Sequence, residues 1–145
     1  MKYYAVFDTN VLVSALMNEG SPPGLLIDKV FKQCIIPLFS DDILTEYEDV
    51  LFRKKFPFLE YDIRNMIDSI KRRGLRVEAG SVEIDIPDLD DVVFYAVVME
   101  KRKEGDAYLI TGNQKHFPKE PFVVTPREML TIIEAEIAEE TTTSL

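Results

Sequence analysis

Oxygen-bearing side chains that could hold a metal ion occur at four separate places along the chain, each near the predicted end of a strand or start of a helix. They are Asp8, Glu46, Asp91 and Asn113. Carboxylate and amide oxygens, without a thiol or a histidine cluster, suit Mg²⁺ or Mn²⁺. Gathered carboxylates raise the pKa of at least one member, and a divalent cation removes that repulsion. The implied chemistry is metal-assisted attack of water on a phosphodiester, with one ion or two.

Asp8 occupies the most informative of these positions. It follows a short run of aromatic and β-branched residues, Tyr3 to Phe7, which predicts a buried strand. Ligands of parallel α/β sheets bind outside the carboxyl ends of the strands. Asp8 could equally cap the helix that follows. Capping does not explain Glu46, which lies beyond the first turn of its helix and gains little from the helix dipole.

Strands and helices alternate along the chain, which predicts an α/β fold with a parallel sheet and helices on both faces. The predicted strands cover 3–7, 35–39, 107–111 and 122–125, with a weak candidate at 75–78. The predicted helices cover 11–17, 22–32, 41–52, 61–73, 91–102 and 126–138. Residues 79–89 are predicted to be irregular. We expect one domain over 1–138 and a polar C-terminal tail over 139–145.

Composition limits the classes of function. The chain has 145 residues, is 46% apolar and carries a net charge of −9. This charge argues against a protein that coats nucleic acid with a broad basic face, but it does not exclude a nuclease that meets phosphate through metal ions. No apolar run approaches the ~20 residues of a membrane span, and the N-terminus does not resemble a signal peptide. With one cysteine and no disulfide framework, a cytoplasmic protein is expected.

The motifs together resemble those of the PIN-domain ribonucleases. The segments that carry the likeness are Phe7-Asp8-Thr9-Asn10-Val11-Leu12, Ser40 with Glu46-Tyr47, the cluster Asp88 to Asp91, and Leu109-Ile110-Thr111-Gly112-Asn113. Their order and spacing match from Tyr3 to about Ile133. The likeness extends to the branch described as toxins of toxin–antitoxin pairs, because Thr-Gly-Asn is followed by Lys115-His116-Phe117.

This resemblance implies a three-layer α/β/α fold and a ribonuclease that is specific for single strands and needs Mg²⁺ or Mn²⁺. Asp8, Glu46 and Asp91 would form the acidic triad, with Asp8 and Asp91 as the main metal ligands. Glu46 would hold a metal water or a second ion. Asn113 stands where the family often has a fourth acid, which lowers the negative charge of the site. Asp90 is an alternative to Asp91.

The resemblance also implies supporting residues. Thr9 and Asn10 would orient Asp8, and Ser40 and Thr111 would bond nearby oxygens. His116 is interpreted as a loop residue at the rim of the site, with acid–base chemistry as the alternative. Two buried-type aromatics, Tyr47 and Tyr95, are interpreted as core rather than as stacking platforms for bases.

Three basic triplets, 53–55, 71–73 and 101–103, are interpreted as complements of helix dipoles. The alternative is that one or two of them flank the acidic cleft and hold RNA phosphates.

Several other functions compete with the ribonuclease. A phosphatase of the Asp-x-Asp type fits poorly, because Asn10 cannot transfer the proton that the second Asp supplies. A phosphate receiver domain fits poorly, because the second acidic cluster lies late in the chain. A catalytically weak or inactive RNA-binding or scaffold module on the same fold is the main alternative. An antitoxin protein and a homodimer are possible partners, and no membrane is expected.

Overall fold

The computed structural model describes residues 2–82 and 86–143. Within them the chain forms a five-stranded sheet and six α-helices. The strands are β1 (Tyr3–Phe7), β2 (Ile35–Phe39), β3 (Leu75–Arg76), β4 (Tyr108–Ile110) and β5 (Val123–Val124). The helices are α1 (Thr9–Met17), α2 (Pro22–Phe31), α3 (Asp41–Leu51), α4 (Glu60–Arg73), α5 (Leu89–Arg102) and α6 (Pro126–Thr143).

The sheet is parallel throughout, with the strand order β3-β2-β1-β4-β5. The chain steps one way from β1 to β3 through α1 to α4, and then crosses back to β4 through α5. Right-handed crossovers in opposite directions place α5 on the face opposite α2 and α4. Accordingly α2 and α4 pack on β2 and α6 packs on α2, whereas α5 packs on β1, β2 and β4. The predicted α/β fold with helices on both faces is confirmed.

Helix starts follow the capping signals of the sequence. The Ser21 hydroxyl accepts the Gly24 N–H at the start of α2, next to prolines in the first turn. Ahead of α6, Thr125 and Glu128 form a reciprocal capping box, with bonds of 3.0 and 3.1 Å between each backbone N–H and the other side chain. These bonds satisfy orphan N–H groups, and α2, α3 and α6 begin where the sequence predicts, whereas α1, α4 and α5 begin one or two residues earlier.

Two features of the fold differ from the predictions. The last helix continues to Thr143, through part of the segment that was predicted to be a polar tail, and residues 144–145 lie outside the described residues. Gly74 ends α4, but its φ of −97° is open to any residue. Glycine is required there because a Cβ would stand 2.3 Å from the Pro37 carbonyl oxygen. The predicted irregular segment 79–89 is described except for 83–85.

The sheet has two edges of different chemistry. Helices α1, α3 and α6 begin directly after β1, β2 and β5, at the carboxyl ends of the strands, whereas α2, α4 and α5 end shortly before β2, β3 and β4, at the amino ends. Of the basic triplets, 101–103 lies at the amino edge, where the Arg102 guanidinium donates to the Ala107 carbonyl at 2.8 Å and Lys101 lies over the Tyr4 ring. Within the described residues, no helix is both long and apolar enough to cross a membrane.

Candidate active site

Asp8 lies at the carboxyl end of the central strand and is nearly inaccessible, with 5% of its surface exposed. The register pairs Phe7 with Ile110, so the residues that follow, Asp8 and Thr111, are neighbours. The Asp8 N–H donates to the Ile110 carbonyl at 2.9 Å. The hydroxyl of Thr111, itself fully buried, donates to Asp8 Oδ2 at 2.7 Å and accepts the Asn113 N–H at 2.9 Å. Two consecutive hydrogen bonds, from the Asn113 N–H to Thr111 and from the Thr111 hydroxyl to Asp8 Oδ2, thus fix the Asp8 carboxylate.

The Asp8 side chain does not cap α1, although Asp8 holds the N-cap position. Burial raises the pKa of Asp8, whereas the Thr111 hydroxyl and the nearby N–H groups of Thr9 and Asn10 oppose that rise. The contribution of Thr9 and Asn10 comes from their backbone. Among the described residues, the Thr9 hydroxyl is buried without a hydrogen-bond partner. The Asp8 carboxylate therefore has the Thr111 hydroxyl and the first N–H groups of α1 around it.

Tyr47 joins α3 to the same strand end. Its hydroxyl donates to the Phe7 carbonyl at 2.6 Å, and only 1% of the residue is exposed. Burial raises the pKa of Tyr47, so the phenol stays neutral and remains a donor. This supports the prediction that Tyr47 belongs to the core. The bond to the residue before Asp8 was missed, because sequence spacing does not reveal which carbonyl a buried tyrosine reaches. Tyr95 is likewise buried, with its ring 6.2 Å from that of Phe122.

Asp91 stands in the first turn of α5, where 14% of its side chain is exposed. Burial raises the pKa of Asp91 to about 6, and the charges of Asp8 and Asp88 add to that rise. The charge of Asp8 thus acts on Asp91, and that the two acids share a ligand stays a prediction. His116 lies beside them, with Nδ1 at 3.5 Å from Asp91 Oδ2. Its ring is largely exposed, as expected for a residue at the rim of the site.

Glu46 belongs to a neighbouring acidic group. Burial raises its pKa, and the nearest carboxylates that raise it further are those of Asp90 and Asp49. Asp88 connects the two groups, because its charge acts on Glu46 and on Asp91. The Asp88 side chain also caps α5 by accepting the Asp90 N–H at 3.0 Å.

The remaining predicted residues lie at the same edge with different surroundings. Ser40 uses its hydroxyl to cap α3, accepting the Ile43 N–H at 3.3 Å. Asp90 and Asn113 are exposed to solvent. The side chain of Asp91 is the more enclosed of the two neighbouring acids, which favours Asp91 over Asp90 as the ligand.

The donor set fits a hard divalent cation, because it consists of oxygens whose mutual repulsion a cation would relieve. Over residues 2–82 and 86–143, no group of three His, Cys, Asp or Glu side chains is gathered closely enough to hold a metal. Mg²⁺ commonly binds through one or two carboxylates and completes its shell with water and substrate phosphate. Asp8 and Asp91 are the pair predicted for this role, and the roles of Asp8, Asp91 and Glu46 as ligands stay predictions.

A cavity of about 550 Å³ lies between the start of α3, the residues that follow β3 and one side of α5; Asp8, Glu46, Asp91 and Asn113 are not among its lining residues. Its walls come from Ser40 and the first turn of α3, from Arg76, and from Val92 and Val93 of α5. Arg76 pairs with Asp41 across it. The volume suits a ligand of nucleotide size.

Comparison with known proteins agrees with this geometry. A family model described as PIN domain matches residues 4–115, so the chain belongs to the PIN-domain family. An uncharacterised protein of Methanocaldococcus jannaschii is 41% identical over 46 residues, which are 32% of this chain and 30% of that relative. The chain thus matches less than a third of the length of this curated relative. No solved structure matches the chain.

PIN domains in general are nucleases that use divalent metal ions. Membership of this family confirms the resemblance found in the motifs and the α/β fold. It does not identify the residues that act, which rest on the geometry above.

Replacing the buried Thr111 hydroxyl tests whether its two hydrogen bonds stabilise the fold. Thr111→Val keeps the shape but leaves the carboxylate and the Asn113 N–H without this partner. We expect a loss of about 1–3 kcal/mol in the free energy of unfolding, measured by urea denaturation. Thr131→Val is the matched control, since the exposed Thr131 hydroxyl bonds only the Arg127 carbonyl of its own helix. Equal losses in the two variants would contradict the role of Thr111.

The raised pKa of Asp91 predicts a dependence of stability on pH. Between about pH 4 and pH 6 the folded chain binds more protons at this carboxyl than the unfolded chain, so stability falls as pH rises through that window. Asp91→Asn removes the ionisation and should stabilise the metal-free protein at neutral pH by about 1 kcal/mol, after allowance for solvent screening. The gain should vanish below about pH 4.

Thermal unfolding across this pH range measures the effect, with the exposed Asp106→Asn as control. A gain for Asp91→Asn that is the same at every pH, or that matches Asp106→Asn, would show that Asp91 titrates normally.

Proposed function

We propose that the chain is a metal-dependent endoribonuclease that hydrolyses phosphodiester bonds of single-stranded RNA. The observation that carries the proposal is the buried Asp8 carboxylate, bonded by Thr111 at the end of the central strand and close enough to Asp91 to raise its pKa. A fold does not need this costly arrangement, because an uncharged side chain would pack there at lower cost. Ionised oxygens held in place are what a cation and a phosphate require.

The residues have different tasks in this proposal. Asp8 and Asp91 bind Mg²⁺ or Mn²⁺, and Glu46 and Asn113 complete the site at its open side. Thr111 holds Asp8 in its orientation. When bound, the dication supplies an activated water and stabilises charge on the departing oxygen.

The surroundings of the acids select the substrate. The cavity of about 550 Å³ next to Ser40 accepts an unstacked nucleotide, which single-stranded RNA presents freely. His116 lies at the rim beside Asp91 and, when protonated, binds the phosphates of the RNA backbone. Neither feature reads a base sequence.

We infer further that the protein is the toxin of a toxin–antitoxin pair and acts in the cytoplasm, where its RNA is found. Apart from the motif likeness, the support is a groove of about 450 Å³ between α1, α2 and α4. Leu25 and Phe31 line it and remain more than 40% exposed, at 44% and 41%. An antitoxin that covers this groove would bury them; a second copy of the chain is the alternative occupant.

An inactive RNA-binding module is the second candidate. Two observations favour it. In the described residues no three acids are gathered into a metal site. The position where the family often has a fourth acid holds the exposed Asn113 instead.

Cleavage of a single-stranded RNA separates the two candidates. With Mg²⁺ or Mn²⁺ the native protein should cut, and EDTA should stop it. Asp8→Asn should lower the rate by at least about a hundredfold, because the carboxylate that binds the ion is lost. The variant should fold, since a neutral amide is cheaper to bury and Thr111 can still donate to it.

The matched control is Asp68→Asn, which removes the same charge from the exposed face of α4. Cleavage by Asp8→Asn at the native rate would refute the proposed site, and absence of cleavage by the native protein under all metal conditions would favour the inactive module.

A further inference from the structure

A second concave site lies at the amino edge of the sheet. Its cavity of about 390 Å³ is lined by Lys2, Gln33, Ile35, Ile36, Arg72 and Arg73, and we call it the amino-edge pocket. Lys2 directly precedes β1, Gln33 precedes β2, and the two arginines end α4. Three separate parts of the chain therefore contribute a polar side chain to one cavity.

The pocket is remote from the acidic site. Lys2 and Asp8 stand at opposite ends of β1, and at about 3.3 Å per residue they lie roughly 20 Å apart. A ligand held at Lys2 cannot touch the metal-binding acids. Ligand binding in this pocket is therefore independent of RNA cleavage at the acidic site, and the inference does not rest on the proposed ribonuclease activity.

The three cations of the pocket have no carboxylate partner within ion-pair distance in the described part of the chain, although acids are in excess overall. Complementing the dipole of α4 accounts for Arg72 and Arg73. It does not account for Lys2, which belongs to another element. Like charges around one cavity repel, so an anion between them is favoured.

Arg73 is held in place before any ligand arrives. Its guanidinium lies 5.2 Å from the centre of the Phe31 ring and donates to the Phe31 carbonyl at 3.3 Å. A planar guanidinium with further free donors is well suited to a phosphate, which it can meet with two parallel hydrogen bonds. Fixing one donor in advance lowers the cost of ordering the site.

Gln33 supports the same conclusion from the backbone. Its φ of 62° makes it the residue with a left-handed backbone that is not glycine in the described ranges. The chain ends α2 there in a Schellman motif, with N–H bonds from Gln33 to Val30 and from Cys34 to Lys29. Glycine is the residue that this position favours. Glutamine is strained in this backbone conformation, but unlike glycine it places a long amide side chain at the pocket wall.

We propose that the amino-edge pocket binds a phosphate monoester, carried either by a free nucleotide or by a phosphorylated end of an RNA chain. Three cations around one cavity match a single dianionic group rather than an extended strand. The volume admits a mononucleotide, and the half-buried Ile36 provides an apolar wall. Lys2, Arg72 and Arg73 bind the phosphate, and the Gln33 amide donates to it.

Calorimetry on the full chain in EDTA tests the proposal, since EDTA keeps metal ions from binding phosphate. The probes are inorganic phosphate, adenosine 5′-monophosphate, adenosine, and a short RNA with and without a 5′-phosphate. The monophosphate should bind and adenosine should not. The double variant Lys2→Ala/Arg72→Ala should weaken binding at least about tenfold. The matched control, Lys54→Ala/Arg127→Ala, removes equal charge from exposed sites elsewhere and should bind as the native chain does.

A second variant guards against unfolding as the explanation. Gln33→Gly relieves the backbone strain, so its melting temperature should stay or rise while its affinity for the monophosphate falls. Binding of the monophosphate alone identifies a nucleotide as the source, and binding of only the phosphorylated RNA identifies a chain end. Equal binding of adenosine, equal binding in pocket and control variants, or no binding of any phosphorylated probe would overturn the proposal.

Discussion

The structure depends on keeping one carboxylate, Asp8, at the buried end of the central strand. Burial disfavours its charge, and the hydroxyl of Thr111, the backbone N–H groups of Thr9 and Asn10, and the charge of His116 oppose that penalty. The Thr111 hydroxyl is in place because β4 lies beside β1 in a register that makes Asp8 and Thr111 neighbours. Tyr47 fixes α3 against the same strand end. The sheet order, the helix contacts and the acidic site are therefore consequences of a single packing arrangement rather than separate features.

The direction of the strands divides the molecule chemically. Carboxyl ends of strands and N-termini of helices share an edge, where the helix dipoles favour acids, and Asp88 and Asp91 stand there at the start of α5. The opposite edge collects helix C-termini, where cations are favoured. The triplets 71–73 and 101–103 accordingly lie near the amino ends of strands and do not flank the acidic cleft. The net charge of −9 is therefore unevenly distributed. One edge of the sheet is acidic and the other is basic, so the two edges favour ligands of opposite charge.

Local patterns were enough to predict most of the fold. Strand β2 matches its predicted range, because a short apolar run between capping and turn residues leaves little choice. The end of α6 was misplaced, since polar residues after Ala138 have no apolar spacing but still extend a helix that has already formed. For the site, the strand ends predict that Asp8 and Asp91 lie at one edge of the sheet, and the charge of Asp8 does raise the pKa of Asp91. The sequence did not reveal that the charge of Asp90 raises the pKa of Glu46, or that His116 lies beside Asp91. Both depend on where the tertiary packing places α3 and the loop after β4.

The central claim is that Asp8 and Asp91 supply oxygens to one shared dication, with Glu46 at the open side of the same site. Adding small amounts of Mn²⁺ to the native protein, and following the broadening of backbone amide signals by nuclear magnetic resonance, tests it most directly. The account predicts that signals of Thr9, Glu46 and Asp91 broaden together and first, while Gln33 at the amino edge keeps its signal. Broadening that spares Thr9 and Asp91, or that spreads evenly over the acidic surface, would contradict it.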